Sequence, residues 1–194
     1  MNDDLDDATT AIERGDLVVY PTETVYGLGA DALDPDAVER VFEAKDRDRS
    51  KAISMAVPDI ETALEYVEPT DRERRFLDEF LPGPITVVVA RTAGVPDVLT
   101  ADRDRVGLRI PDHEIALALL ERVAPLTATS ANVSGRPSAR RVADLDPEIR
   151  EAATAVVDSG ETPGGGSTVV DIETGEIIRR GAMADTVADW LAEQ

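Results

Sequence analysis

The sequence predicts a single α/β domain over residues 1–194, with a twisted mixed sheet flanked by helices. Three observations lead there. Stretches of strand and helix character alternate from end to end; some strands are joined by helical stretches and others by short turns; and a chain of 194 residues, 42% hydrophobic, can bury one core without disulfides or structural metal.

The elements follow in order. An amphipathic stretch from Leu5 to Arg14 stops at Gly15, and Leu17-Val18-Val19-Tyr20 reads as a buried strand halted by Pro21. Asp34-Pro35 starts a helix, with Asp as N-cap and Pro in the first helical position; Val38, Val41 and Phe42 share a face, and the helix ends near Lys45. Ile53 to Val57 is a strand, followed by helical stretches at 60–67 and 71–81. Pro82-Gly83-Pro84 breaks the chain before strands at 85–90 and 106–110, which flank a loop carrying Gly and Pro. Residues 113–123 are helical by period, and 126–130 form a strand that runs into a polar turn. A short helix near 147–153, strands at 154–158 and 167–172, a hairpin into 177–179 and a helix to Leu191 close the chain. Residues 21–29 read as a loop.

Charge and composition exclude much. Forty acids against twenty bases give a formal charge of -20, and Lys occurs only at 45 and 51. Such self-repulsion suits concentrated salt, where the Debye length shrinks to roughly 3 Å near 1 M. A halophilic cytoplasm is the expected setting, an ordinary acidic protein the alternative. The absence of Cys removes disulfides, thiolate nucleophiles and Cys-based metal sites, and the lone His113 excludes multi-His centres. The first sixteen residues are acidic rather than a basic leader, and no apolar run reaches the ~18 residues of a membrane span, so a soluble, unsecreted, cytoplasmic protein is expected.

The scarce cations cluster. Residues 45–51 (KDRDRSK) hold four, including both lysines, and 136–141 add three with no acid between them. Either island is an anion site, for which Arg forks and Lys point charges match phosphate, or a solvated face with salt-bridged Arg. Around them lie loops rich in small hydroxyl and amide residues after strands, at 21–29, 127–132 and 164–168; these offer ligand donors or are ordinary turn chemistry. No P-loop, no G-x-G-x-x-G after a strand and no G-x-S-x-G elbow is present, and His113 reads as a cap or packing residue.

PTETVYGLG at 21–29, the Lys45-x-Arg47 pair, PGPIT at 82–86, GLRIPDH at 107–113, TSANVSGRPS at 129–138, STVVD at 167–171 and Ile178-Arg179-Arg180-Gly181 together resemble the YrdC-like family, over essentially the whole chain. The resemblance implies L-threonylcarbamoyladenylate synthesis. L-Threonine, bicarbonate and ATP give threonylcarbamoyl-AMP and pyrophosphate, and a separate transferase places the threonylcarbamoyl group on tRNAs reading codons that begin with A. Hydrogenase-maturation relatives carry further domains and longer synthases a C-terminal extension, neither of which is expected for this chain.

Carried over by position, the ATP contacts are Lys45, Arg47, Asn132 and Arg179, with Lys51 and Arg140 in looser matches; Lys45 and Arg47 are also the expected catalytic pair. The threonine contacts are Thr24, Arg109, Ser130 and Ser167. Arg109 suits the carboxylate through a bidentate fork, or is a strand Arg paired with an acid; Ser167 reads the substrate hydroxyl or caps a strand edge. Many relatives have Asn-Pro-Leu after the K-x-R pair and a His beyond it that approaches threonine, where this chain has Ala56. Mg2+ is expected with ATP, held by triphosphate and water, with no dedicated metal ligands. A non-catalytic RNA-binding module is the alternative, disfavoured by the charge, and an acyl-transferring relative with another amino acid is a third reading.

Overall fold

The computed structural model describes residues 2–193. Among them, nine strands form one mixed sheet: β1 (Leu17–Tyr20), β2 (Gly27–Gly29), β3 (Ser54–Ala56), β4 (Ile85–Ala90), β5 (Arg105–Arg109), β6 (Leu126–Ser130), β7 (Ala153–Val156), β8 (Thr168–Asp171) and β9 (Glu176–Arg179). Their order is β7-β1-β2-β6-β3-β5-β4-β8-β9. The β1–β7, β3–β5 and β4–β8 pairs are parallel and the remaining neighbours antiparallel. The helices are α1 (Asn2–Glu13), α2 (Pro35–Ala44), α3 (Ile60–Ala63), α4 (Asp71–Phe80), α5 (Asp97–Thr100), α6 (Glu114–Val123), α7 (Pro147–Ala152) and α8 (Ala184–Ala192). None is long and apolar enough to cross a membrane.

Local chemistry sets the helix starts. Asp34 accepts from the Asp36 amide at 2.9 Å with Pro35 at the first position, and Thr70 and Glu73 form a reciprocal capping box that opens α4. The two faces of the sheet are covered unequally. On one, Leu17, Val19, Met55, Leu108, Val87 and Val170 pack into the main core with residues of α2, α4, α7 and α8. On the other, α1 and α6 cover only the half near β1, packing on Val18, Tyr20, Ala56 and Leu126. The remainder of that face is open, and alternation along β5 shows it: Val106 and Leu108 are buried, whereas Arg105, Gly107 and Arg109 face the opening.

Residues 27–29 overturn the loop reading of the sequence. They form β2, paired with β1 and β6. Their glycines are needed because a Cβ on Gly29 would lie 2.9 Å, and one on Gly27 3.1 Å, from the Tyr20 ring. A glycine strand has no alternating side chains to betray it, so period-based reading misses it. The loop between β4 and β5 likewise contains the one-turn helix α5, too short to leave a periodic signal.

Candidate active site

The open half-face is a cleft of about 930 Å³. Small residues keep its floor low: a Cβ on Gly107 would fall 2.4 Å from the Ser54 hydroxyl, and Ala56 and Ala128 lie beside it. Of the residues expected at a ligand, the structure brings Thr24, Arg47, Lys51, Arg109, Ser130, Ser167 and Arg179 to this one cleft.

The Lys45-x-Arg47 pair is split by the backbone. Lys45 caps the end of α2 and Asp46 adopts a left-handed conformation (φ 45°), which Asp tolerates better than most residues. Lys45 therefore turns inward, 2% exposed, and donates to the carbonyls of Ser130 and, at 2.7 Å, Asn132. Burial first, then Arg47, pulls its pKa down to about 8. Arg47 emerges on the cleft wall, where it donates to the carbonyls of Lys51 (2.9 Å) and Ala52 (2.8 Å). Carbonyls fix its direction without neutralising it.

Two further arginines converge on it. Arg179, on the rim, donates through Nε to the Ser167 carbonyl at 3.0 Å and through a terminal nitrogen to Ser167 Oγ at 2.7 Å. Its pKa is lowered by desolvation, then by Arg109, then by Arg47, so Arg179 feels both of the other guanidinium groups across the cleft. Arg109 donates one terminal nitrogen to Glu23 Oε1 at 2.8 Å and to Thr24 Oγ1 at 3.0 Å. The expected open fork is thus half engaged: the strand-Arg-with-acid alternative and the cleft position hold together, leaving the other terminal nitrogen without a partner among the described residues. Glu23 was missed in the sequence. Nothing in PTETVYG distinguishes it from a solvated loop acid, yet it is the carboxylate that faces Arg109, and its second oxygen, like Arg109 Nε, is buried without a hydrogen-bond partner among the described residues.

Other expectations are corrected. Lys45 and Asn132 do not line the cleft. Asn132 is buried and donates to the carbonyls of Val133 and Arg136, both at 2.9 Å, so it and Lys45 brace the 129–138 turn from behind Ser130. Arg140 lies outside the cleft, its guanidinium paired with Glu161 at 2.8 Å. The 136–141 island is neutralised by acids ten to twenty positions further along the chain: Arg136 by Asp146 and Glu148, both at 3.0 Å, and Arg141 by Glu161. His113 stands at the N-cap position of α6 without a side-chain cap bond, its pKa lowered mainly by burial.

The Sua5/YciO/YrdC family model, described as Telomere recombination, matches residues 10–181. The chain belongs to that family. This family member is 41% identical over 164 residues to a Pyrococcus abyssi protein named threonylcarbamoyl-AMP synthase, covering 83% of the chain and 48% of the relative. It is 36% identical over 182 residues to a threonylcarbamoyl-AMP synthase of Xanthomonas campestris pv. campestris, covering 91% of the chain and 97% of the relative. The chain thus spans about half the Pyrococcus protein and nearly all of the bacterial one. Among solved structures, P. abyssi Sua5 complexed with L-threonine aligns with TM-score 0.79 at 39% identity, covering 86% of this chain and 50% of that one. E. coli YciO aligns at 0.82 with 25% identity, covering 94% and 91%.

Proposed function

We propose that the arginine-lined cleft makes threonylcarbamoyl-AMP from L-threonine, bicarbonate and ATP, releasing pyrophosphate. The chain is an enzyme of the threonylcarbamoyl-AMP synthase type, related at 33–41% identity to proteins of that name. The observation that carries the reading is the convergence of Arg47, Arg109 and Arg179 on one cleft in a chain of net charge -20. Mutually repelling cations persist in a folded site when something anionic repays them on binding.

The roles follow from the geometry. Arg47, Arg179 and Lys51 take the triphosphate, the first two held so that their free edges face the cleft. Arg109 takes the threonine carboxylate with its unengaged nitrogen, beside the hydroxyls of Thr24, Ser130 and Ser167. The amine captures carbon dioxide or bicarbonate to give a carbamate, whose oxygen attacks the α-phosphorus and expels pyrophosphate. No covalent enzyme intermediate is needed, so positioning and charge neutralisation supply the rate. Magnesium enters only as the triphosphate's counter-ion. Among the described residues no cluster of three His, Asp or Glu side chains could hold a metal, and no step here runs through one. The product would pass to a separate transferase acting on tRNA.

The decisive assay follows pyrophosphate release with ATP, bicarbonate and single amino acids. Release that depends on L-threonine is expected. Release indifferent to the amino acid, or none with threonine, would discard the reading.

A further inference from the structure

Thr86 ends the PGPIT stretch and has no role in the reaction as described above. It stands on the cleft floor and is 3% exposed, as is Ser167. Their hydroxyl oxygens lie 3.2 Å apart. Arg179 docks on the same serine with one edge of its guanidinium, Nε on the carbonyl and a terminal nitrogen on Oγ. The topology enforces this row, because β4, β8 and β9 are consecutive in the sheet and Thr86 and Arg179 both stand in register with Val169.

The proton inventory constrains the row, whose Thr86–Ser167 bond either hydroxyl can donate. A guanidinium only donates, so one lone pair of Ser167 Oγ is committed to Arg179, and the serine carries a single rotatable proton. Among the described residues, Thr86 is the other side chain bonded to that hydroxyl. Arg179 keeps its outer edge for phosphate oxygens. The hydroxyl proposed for the amino acid and the guanidinium proposed for the nucleotide therefore share one hydrogen bond, and Thr86 is its third vertex.

We propose that Thr86 is a positioning residue that couples the two substrate sites: by fixing the Ser167 hydroxyl, it makes phosphate on the outer edge of Arg179 and L-threonine at Ser167 strengthen each other's binding. This rests on the threonine and ATP reading of the cleft. A triphosphate that immobilises Arg179 also immobilises the lone pair of Ser167 that it occupies, and with Thr86 holding the remaining direction the hydroxyl keeps one orientation. The ordering cost then falls on the first ligand and not on the second, whichever comes first.

The test is calorimetric titration of L-threonine with and without a saturating non-hydrolysable ATP analogue. The wild type should bind threonine about tenfold tighter with the analogue, and the analogue about tenfold tighter with threonine, since coupling is reciprocal. Thr86→Val keeps the shape and removes the hydroxyl. Its threonine affinity alone should stay within about twofold of wild type while the coupling falls below about threefold, and Thr86→Ser should restore it. Should the valine variant fail to fold, Arg179→Lys, a cation that cannot span both serine oxygens, should show the same loss. Full coupling in folded Thr86→Val, or in Arg179→Lys, overturns the inference, as does a wild type without coupling. If threonine does not bind the wild type, the reading of the cleft itself fails. Threonine-dependent pyrophosphate release with undiminished coupling in Thr86→Val sinks only the role of Thr86.

Discussion

Residues 45–51 and 136–141 are both dense in cations, yet the fold treats Arg47 and Lys51 of the first differently from the arginines of the second. In the first, Arg49 pairs with Glu39 and Lys45 is buried, but Arg47 is gripped by backbone carbonyls and Lys51 stands open on the cleft, so the charge of these two remains available. In the second, Arg136 and Arg141 are cancelled by Asp146, Glu148 and Glu161. What separates a binding site from a solvated surface is therefore the partner that orients the cation. A carbonyl directs it and leaves the field, whereas a carboxylate directs it and removes the field.

Substitutions can break that contrast. Arg47→Ala should produce the largest effect, a loss of turnover on the order of a hundredfold or more, because it removes a charge-assisted contact worth about 2–3 kcal/mol in a sheltered site. Its melting temperature should stay close to wild type, and a collapse of the fold instead would make Arg47 a structural brace. Next comes Lys45, whose folded pKa near 8 lies below its ordinary 10.5. Between those values the unfolded chain holds the extra proton, so stability should climb with pH, by about 2–3 kcal/mol if the shift is fully expressed. Tyr20, pushed up to about 12 chiefly by burial, works the other way above pH 10, where only the unfolded chain releases its proton. Denaturant titrations from pH 8 to 10 should show the rise in wild type and lack it in Lys45→Met.

Glu23→Gln sharpens the contrast from the other side, by taking the acid from Arg109, which among Arg47, Arg109 and Arg179 is the one paired with a carboxylate among the described residues. Freed of its counter-charge, Arg109 should draw anions more strongly, lowering the pyrophosphate inhibition constant severalfold; an unchanged constant would mean that Glu23 does not tune the site. The smallest effect belongs to Arg141→Ala, expected to leave kcat/KM within about twofold because its exposed pair with Glu161 contributes little. A large loss there would relocate the site. Exposed Arg75 is a second control. Arg72 is not, because it donates to the Ile172 carbonyl and lies over the Trp190 ring.

Much of this was legible beforehand. The α/β class, the Asp34-Pro35 helix start and the strands at 17–20, 85–90 and 126–130 follow from local chemistry and hydrophobic period, which neighbouring residues express within a few positions. β2 was hidden because its glycines answer to Tyr20 rather than to a period. The motifs also named Thr24, Arg47, Lys51, Arg109, Ser130, Ser167 and Arg179, which ring the cleft, but equally Lys45, Asn132 and Arg140, which do not line it, because a motif fixes which groups are present and not where the backbone points them. Glu23 and Thr86 stayed invisible because their importance lies in what stands opposite, on strands far away in the chain.

The sequence by itself determined which groups this protein possesses: a scarce set of cations, hydroxyl-rich turns, no thiol and one imidazole. Only the tertiary structure decided which cations keep their charge. Coulomb attraction acts over a few ångströms of space, and it is the fold that sets those distances, bringing Arg109 to Glu23, 86 positions away, and Arg141 to Glu161, while the turn after α2 points Arg47 at the carbonyls of Lys51 and Ala52.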